Sequence, residues 1–464
     1  MKTPPAADAS SAMADLPPFR FHEEELHKLQ EALPRDLHIL RLRLRFGLPI
    51  RAQLGQRFRV VVDLVDEMGQ PISKDLPPPS GIDILLATPG SALTNNHKSS
   101  PIDTNQILLK VEDELTSQGK TQLQAKWVYW ISLHNATASA DICSEVPVSI
   151  MIQSKQTPVA CSSSSSAKDS RCQLRSFCVG SSWLSERVLV LPLRVDLQVT
   201  SSSQVDRAAT TSTSCHRMFR SSLSTSPAAA LDNKERGLLV IEENYGDAMG
   251  SHVWDASILL SFAVIRAGIN TPRQQKLTRN KTKQAILELG SGCGLFAAVL
   301  TAHLSSDTRW TTIFTEKPEC TERLQTNLDR NEPPASSSVL PLEWGAPLLK
   351  ELREADVRVV FAADVLYNWA AHEAFLATLD SLVGEQESST KLHVFLAHKR
   401  RGKASATKLD ALASGTFDSA AHCGAAIDTS NCRWLHWQVE KVASIGRVDL
   451  YILSYCPGKV VAQQ

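Results

Sequence analysis

The sequence predicts a parallel α/β domain in its second half behind a strand-rich domain in its first, and three observations carry that prediction. The C-terminal third alternates strand-like and helix-like runs at short spacing, as parallel sheets covered by helices do. Within it, Ala285-Ile-Leu-Glu-Leu-Gly-Ser-Gly-Cys-Gly294 reads as a buried strand, a glycine-dense turn and the start of a helix. The first half is rich in β-branched and aliphatic runs. Several alternate, as in Leu40-Arg-Leu-Arg-Leu-Arg-Phe46, which suits strands with one wet face.

In chain order, residues 1–34 are expected to be a flexible N-terminus and 35–200 a β-rich accessory domain. Its strands are placed at Ile39–Phe46, Arg57–Asp66, Ile82–Ala87, Trp127–Leu133, Val146–Ile152 and Val188–Val199. Polar and serine-rich tracts interrupt them at Gly90–Asn105 and Ser162–Ser166, and Ser201–Ser226 follows. Such tracts bury too little apolar surface to order themselves, so 201–230 is expected to be a disordered linker. The α/β domain then occupies 231–464, and it opens on an amphipathic helix over Gly250–Phe262 with Trp254 near its start. Strands follow at Ala285–Leu289, Trp310–Thr315, Val339–Leu342, Val357–Asp364 and Lys391–Ala397. Helices fit Leu295–Leu304, Pro318–Asn331 and Trp369–Val383, with Pro318 early enough that its missing N–H costs nothing. Trp434–Val442 and Val448–Tyr455, joined by a short glycine-containing link, read as a hairpin. Five parallel strands and a hairpin make seven.

The 464 residues carry 43% apolar side chains and a formal net charge of zero. Zero charge disfavours a broad electrostatic grip on nucleic acid or on a membrane surface. No run approaches the ~20 apolar residues of a membrane span. Residues 1–19 lack the basic and apolar regions of a secretory signal. The ten cysteines show no Cys-x-x-Cys pairing, which predicts free thiols, no metal site, and a cytoplasmic or nuclear protein. Lys399-Arg400-Arg401 reads as a solvated loop, and His398 as a strand-end residue with no constellation around it.

Gly290, Gly292 and Gly294 alternate after an acid, Glu288, on an apolar strand. Glycine removes the Cβ that would keep a nucleoside away from the backbone. A dinucleotide fingerprint would place its third glycine one residue later, where Leu295 stands, so a nicotinamide dehydrogenase is disfavoured. Ser291 lacks the Gly-x-Ser-x-Gly elbow of a hydrolase. Glu288 is costly on such a strand without a cationic or hydrogen-bonding partner. Glu316 and Asp364 close two later strands, where acids can meet a ligand at successive sheet edges.

The glycine spacing resembles that of S-adenosylmethionine-dependent methyltransferases, whose seven-stranded sheets are Rossmann-like. Together, Val253-Trp254, Leu287-Glu-Leu-Gly-Ser-Gly-Cys-Gly294 and Asp364-Val-Leu-Tyr367 resemble the family-16 protein methyltransferases. Most characterised members of that family act on lysine side chains. The strand-rich extension, Phe361-Ala-Ala-Asp-Val-Leu-Tyr367 and the later Lys399-Arg400 are most similar to the methyltransferase-like protein 22 branch. The resemblance spans about 235–456.

It implies S-adenosyl-L-methionine as cofactor. Glu288 would face its ammonium across Gly290, Gly292 and Gly294, and Glu316 would accept its ribose hydroxyls, though Asp is commoner there in relatives. Glu343 and Trp344 would flank the adenine, Trp254 would lid the pocket, and Ala363 would border it. Asp364 would orient a protein lysine and Tyr367 would wall the channel for its stem. A carboxylate favours the charged amine, so Asp364 suits a positioner better than a strong base. Nucleic-acid amino methyltransferases carry a Pro-Pro turn where Val365 and Leu366 stand, which counts against a base as substrate. The expected partner is a protein presenting a lysine to a monomeric enzyme, with the accessory domain docking that substrate. Two rivals stay open: a small-molecule amine methyltransferase, and a non-catalytic interaction protein that retains the fold.

Overall fold

In a computed structural model the chain is described over residues 21–72, 76, 81–87, 107–113, 126–135, 146–155, 170–179, 181–200, 211–212, 214–221, 237–244, 249–268, 284–304, 310–384, 392–401, 407–417 and 432–456. The strand-rich half forms two six-stranded sheets. β1 (His38–Leu44) and β2 (Arg57–Val65) pair antiparallel at the centre of one. The other ends in β3 (Ser214–Arg220) and β4 (Leu238–Asn244), also antiparallel. Alternate residues of both sheets, among them Leu42, Val62, Ile150 and Val195, meet in one apolar core.

The second half is the expected seven-stranded sheet. Its strands are β5 (Gln284–Leu289), β6 (Trp310–Glu316), β7 (Ser337–Pro341), β8 (Asp356–Ala363), β9 (His393–Lys399), β10 (Trp437–Ile445) and β11 (Val448–Tyr455). They lie in the order β7-β6-β5-β8-β9-β11-β10, with β5 to β9 parallel and the final hairpin antiparallel. From β5 the chain winds first to β6 and β7 and later to β8 on the other side. Their C-terminal ends flank the crevice where such sheets bind ligands.

Helices α1 (Glu23–Ala32), α2 (Asp255–Ala267), α3 (Leu295–Leu304), α4 (Thr321–Arg330) and α5 (His372–Gly384) complete this half. Four sequence expectations need correction. Residues 21–34 are not a flexible terminus: α1 buries Leu26 and Leu29, one helical turn apart, in the core that holds α2 and α3. Residues 1–20 lie outside the described residues. The helix expected over Gly250–Phe262 begins at Asp255 and is buried nearly all round rather than amphipathic, because the sheet, α1 and α3 all cover it.

The expected strand Val188–Val199 is broken at Pro192 into Val188–Leu191 in one sheet and Leu193–Thr200 in the other. Proline has no N–H to continue a ladder. The expected linker 201–230 contains β3, whose seven residues pair in register with β4 and bury Cys215, Met218 and Phe219; 201–210, 213 and 222–230 lie outside the described residues. β4 belongs in sequence to the second half and in hydrogen bonding to the first. Phe177, Phe219 and Phe262, with ring centroids 5.4 and 5.9 Å apart along the chain of three, carry one core across both halves. The tracts Gly90–Asn105 and Ser162–Ser166 lie outside the described residues, and no described helix is long and apolar enough to cross a membrane.

Candidate active site

The turn after β5 is built by its glycines. Gly290, Gly292 and Gly294 all have positive φ, of 71°, 57° and 88°. A Cβ at Gly294 would stand 2.7 Å from Leu324 Cδ1, so that glycine lets α3 and α4 close up. At Gly292, which is buried, a Cβ would rest against the Gly250 and His252 carbonyl oxygens at 3.6 and 3.9 Å, so its positive φ is what calls for glycine. A nucleoside cofactor requires close approach to such a turn, and Gly290, half-buried, is its more accessible glycine. Near Gly290 stand Trp344 Cζ2 and Val365 Cγ1, 3.2 and 3.0 Å from where its Cβ would be. Val365 therefore seats the turn that follows β8 directly on the glycine turn.

Glu288, 1% exposed, lies within this layer, and its Oε2 accepts no hydrogen bond. Burial pushes its pKa up to about 8, with the Ser291 hydroxyl, outside hydrogen-bonding geometry, tempering the shift. A buried carboxylate with an open acceptor position fits a ligand carrying an ammonium group. Glu316 ends β6 and its Oε2 accepts from the Gly292 N–H at 2.7 Å, while Oε1 accepts from Lys317 N–H at 3.0 Å. Burial raises its pKa and these two donors oppose the rise. A carboxylate held at the glycine turn stands where ribose hydroxyls could reach it. Glu343 is exposed after β7, and Trp344 packs edge-on against Phe375 with centroids 5.4 Å apart. Ala363, half-buried, ends β8. Trp254, half-buried, donates its indole N–H to the Met249 carbonyl at 3.1 Å. Apart from Trp254, which immediately precedes α2, the residues expected at the cofactor follow the C-terminal ends of β5, β6, β7 and β8. Among the described residues there is no cluster suited to a metal ion.

The acceptor side differs from expectation. Asp364, 4% exposed, has φ of 60°, a left-handed conformation that Asp tolerates better than most residues. Its carboxylate is already engaged: Arg401 Nη1 donates to Oδ1 at 2.8 Å and Nη2 donates to Oδ2. Lys399-Arg400-Arg401 is therefore not a solvated loop. Lys399 pairs with Asp255 and, at 2.8 Å, with Glu67, while Arg401 lies 5.5 Å over the Trp254 ring. His398 is buried with Nδ1 4.0 Å from Asp364 Oδ1, so it too has company that the sequence reading denied it. Tyr367 is 52% exposed; its ring can line an acceptor channel only from the rim.

The segment that leads into α2 is held by the strand-rich half. The Val253 N–H donates to Glu243 Oε2 at 3.1 Å, its carbonyl accepts from Arg41 at 2.6 Å, and the Asp255 N–H donates to Glu67 Oε2 at 3.1 Å. Burial alone would raise the Asp255 pKa, but the Lys399 and Arg41 cations outweigh it and hold the carboxyl at about 2. Sequence reasoning missed Glu67, Arg41 and Arg401 because their partners lie between 37 and 334 residues away. The one available signal was arginine on the alternating face of Leu40-Arg-Leu-Arg-Leu-Arg-Phe46.

Comparison with known proteins agrees with this geometry. Residues 233–414 match a family model described as lysine methyltransferase. No curated protein matches the chain. Among solved structures, an S-adenosylmethionine-dependent methyltransferase from Aquifex aeolicus is 13% identical, with 38% of this chain and 82% of that one covered and a TM-score of 0.26. The DszA carbon methyltransferase is 16% identical over 43% of this chain and 53% of its own, with a TM-score of 0.28. LepI in complex with S-adenosylmethionine is 13% identical over 39% and 44%, with a TM-score of 0.26. The chain spans about half the length of several solved structures it matches. At such scores these likenesses carry no argument, and the assignment rests on the family match with the glycine turn and its acids. Residues 233–414 are thus similar to the lysine methyltransferase family over the segment that holds the glycine turn and its acids.

Proposed function

We propose that this protein transfers a methyl group from S-adenosylmethionine to a lysine side chain of a protein substrate. The observation that carries the donor side is Glu288: a buried carboxylate with an oxygen that accepts no hydrogen bond, beside a turn of three positive-φ glycines. Lysine as acceptor is supported by the family description and by Asp364 at the adjacent strand end, against the same turn through Val365. The Phe361–Tyr367 phrase and the strand-rich extension support a place in the methyltransferase-like protein 22 branch. The same reading makes the protein a monomer of the cytoplasm or nucleus.

The cofactor would supply an electrophilic sulfonium methyl. The chain's own residues then have to position and to select a proton state. Gly290, Gly292 and Glu316 would hold the nucleoside, and Glu288 would fix its amino group. Asp364 and Tyr367 would aim the lysine from the next strand end. Alignment of that kind can supply ~7–11 kcal/mol in well-oriented intramolecular cases, with no covalent intermediate. The lysine must arrive neutral, whereas its free pKa is about 10.4. The site therefore has to disfavour the ammonium form.

The test is mass spectrometry of lysates incubated with the full chain and an isotopically heavy methyl donor. Heavy methyl on lysine of one or a few proteins is expected. Label confined to small metabolites would replace this reading with a small-molecule amine methyltransferase. Binding of the cofactor with no label anywhere would leave a non-catalytic scaffold.

A further inference from the structure

We infer that the acceptor site is completed by the strand-rich half, through Glu67, which acts as a positioning residue by clamping Arg401 onto Asp364. The inference rests on the reading of Asp364 as the acceptor-side carboxylate.

Glu67 sits in a turn that its own neighbours make stiff. Asp66 Oδ1 accepts from the Met68 and Gln70 N–H groups, both at 2.9 Å, and Gly69 takes a positive φ of 72°. The turn points Glu67 inward, 3% exposed, while the next residue, Met68, is exposed. Both carboxylate oxygens of Glu67 face the other half of the molecule. Oε1 takes Lys399 Nζ at 2.8 Å and Arg401 Nη2 at 2.8 Å, and Oε2 takes the Asp255 N–H. Desolvation and the nearby Asp255 raise its pKa, and Lys399 and Arg401 oppose that rise. Arg401, bound to two carboxylates that offset its burial, is held above its usual pKa and stays cationic.

The charged groups facing this cluster are Glu67 from the turn after β2, Asp255 from α2, Asp364 after β8, Arg41 from β1, and His398, Lys399 and Arg401 from the end of β9. Three acids meet three permanent cations. A cluster of this kind gains little stability over an apolar contact of equal size, so joining the two halves does not by itself account for it. Its place does: it ends at the carboxylate beside the glycine turn.

The balance has a chemical consequence. Asp364, satisfied by Arg401, has no uncompensated charge with which to hold an ammonium. A fixed guanidinium beside the entering amine disfavours its protonated form. The lysine proton leaves to water as the side chain enters. The nitrogen lone pair then forms the N–C bond as the S–C bond breaks, and the positive charge passes from sulfur to nitrogen. Glu67 keeps the guanidinium in place during this sequence without touching either reactant.

The test compares the full chain with Glu67→Gln, Arg401→Gln and Arg401→Lys. Cofactor binding is followed by calorimetry, and methyl transfer to lysate protein is followed from neutral to alkaline pH. Glu67→Gln and Arg401→Gln should slow transfer about tenfold and move the rising limb of the pH profile up by about one unit, with cofactor affinity within about twofold of wild type. Arg401→Lys, which keeps the charge and loses the fork, should keep the wild-type limb at reduced rate. If Glu67→Gln fails to fold, Glu67→Asp, which keeps the charge and shortens the reach, should show the lower rate with little pH shift. Faster transfer by Glu67→Gln, an unmoved pH profile in both Gln variants, or parallel loss of cofactor binding would each overturn the inference. A wild-type chain that labels no protein lysine would instead defeat the reading on which it stands.

Discussion

Two buried carboxylates end neighbouring parallel strands, and their surroundings are opposite. Glu288 on β5 keeps an oxygen without a hydrogen bond, and no cation is among the groups that shift its pKa. Asp364 after β8 is filled by the two-pronged grip of Arg401, itself held from the other half of the molecule. An acid with an open oxygen awaits its counter-charge from a ligand. An acid already neutralised by the protein contributes geometry and field instead. On the proposed function, the cofactor side would be completed by what binds it, and the acceptor side by another part of the same chain.

The comparison can be broken most sharply at the glycine turn. Gly292→Val should weaken cofactor binding by more than about a hundredfold, roughly 3 kcal/mol, because a branched side chain resists positive φ and would press on the Gly250 and His252 carbonyls beside the turn. Calorimetry reads this directly, and retained affinity would show that nothing binds over that turn. At the other acid, Asp364→Asn tolerates the left-handed backbone and should leave cofactor affinity near normal while slowing transfer about a hundredfold. Its melting temperature should also fall, since Arg401 loses one of two carboxylate partners. Unchanged turnover would remove Asp364 from the acceptor site.

Glu288→Gln should weaken cofactor binding about tenfold, the scale of one charge-assisted contact. The pH dependence sharpens the contrast. Between the ordinary 4.5 and about 8, the folded cofactor-free protein binds more proton at Glu288 than the unfolded chain does, so this group makes stability fall as pH rises through that window. Glu288→Gln should remove that part of the slope in melting curves taken across it. An ammonium ligand favours the ionised acid, so binding at neutral pH should release up to one proton and tighten toward pH 8. Calorimetry in two buffers of different ionisation heat measures that proton, and none released would separate Glu288 from the ligand's amine. Tyr367→Ala is the smallest expected lesion: about a threefold rise in KM for protein substrate with stability unmoved, as suits a ring on the rim.

The legible part of the molecule was the part written in contiguous residues. β5, the glycine turn and α3 follow one another without interruption, and their strand period, bare backbone and helix start are local properties. Leu295–Leu304 matched its expected bounds, and Ile82–Ala87 did so in the other half. β3 escaped notice because Met218 and Phe219 are surrounded by polar residues, and its pairing with β4 crosses a long intervening segment. Lys399 and Arg401 looked solvated because charge in a sequence carries no sign of what faces it.

By itself, the sequence determined the seven-stranded α/β domain, its glycine turn and the resemblance to the family whose model matches residues 233–414, since periodicity and glycine spacing act over a few residues. Only the tertiary structure decided that Asp364 is neutralised from within by Arg401 and that Glu67 reaches that arginine from the strand-rich half. The ionisation and reach of a buried charge depend on partners brought within about 3 Å by folding, and chain spacing does not encode that distance.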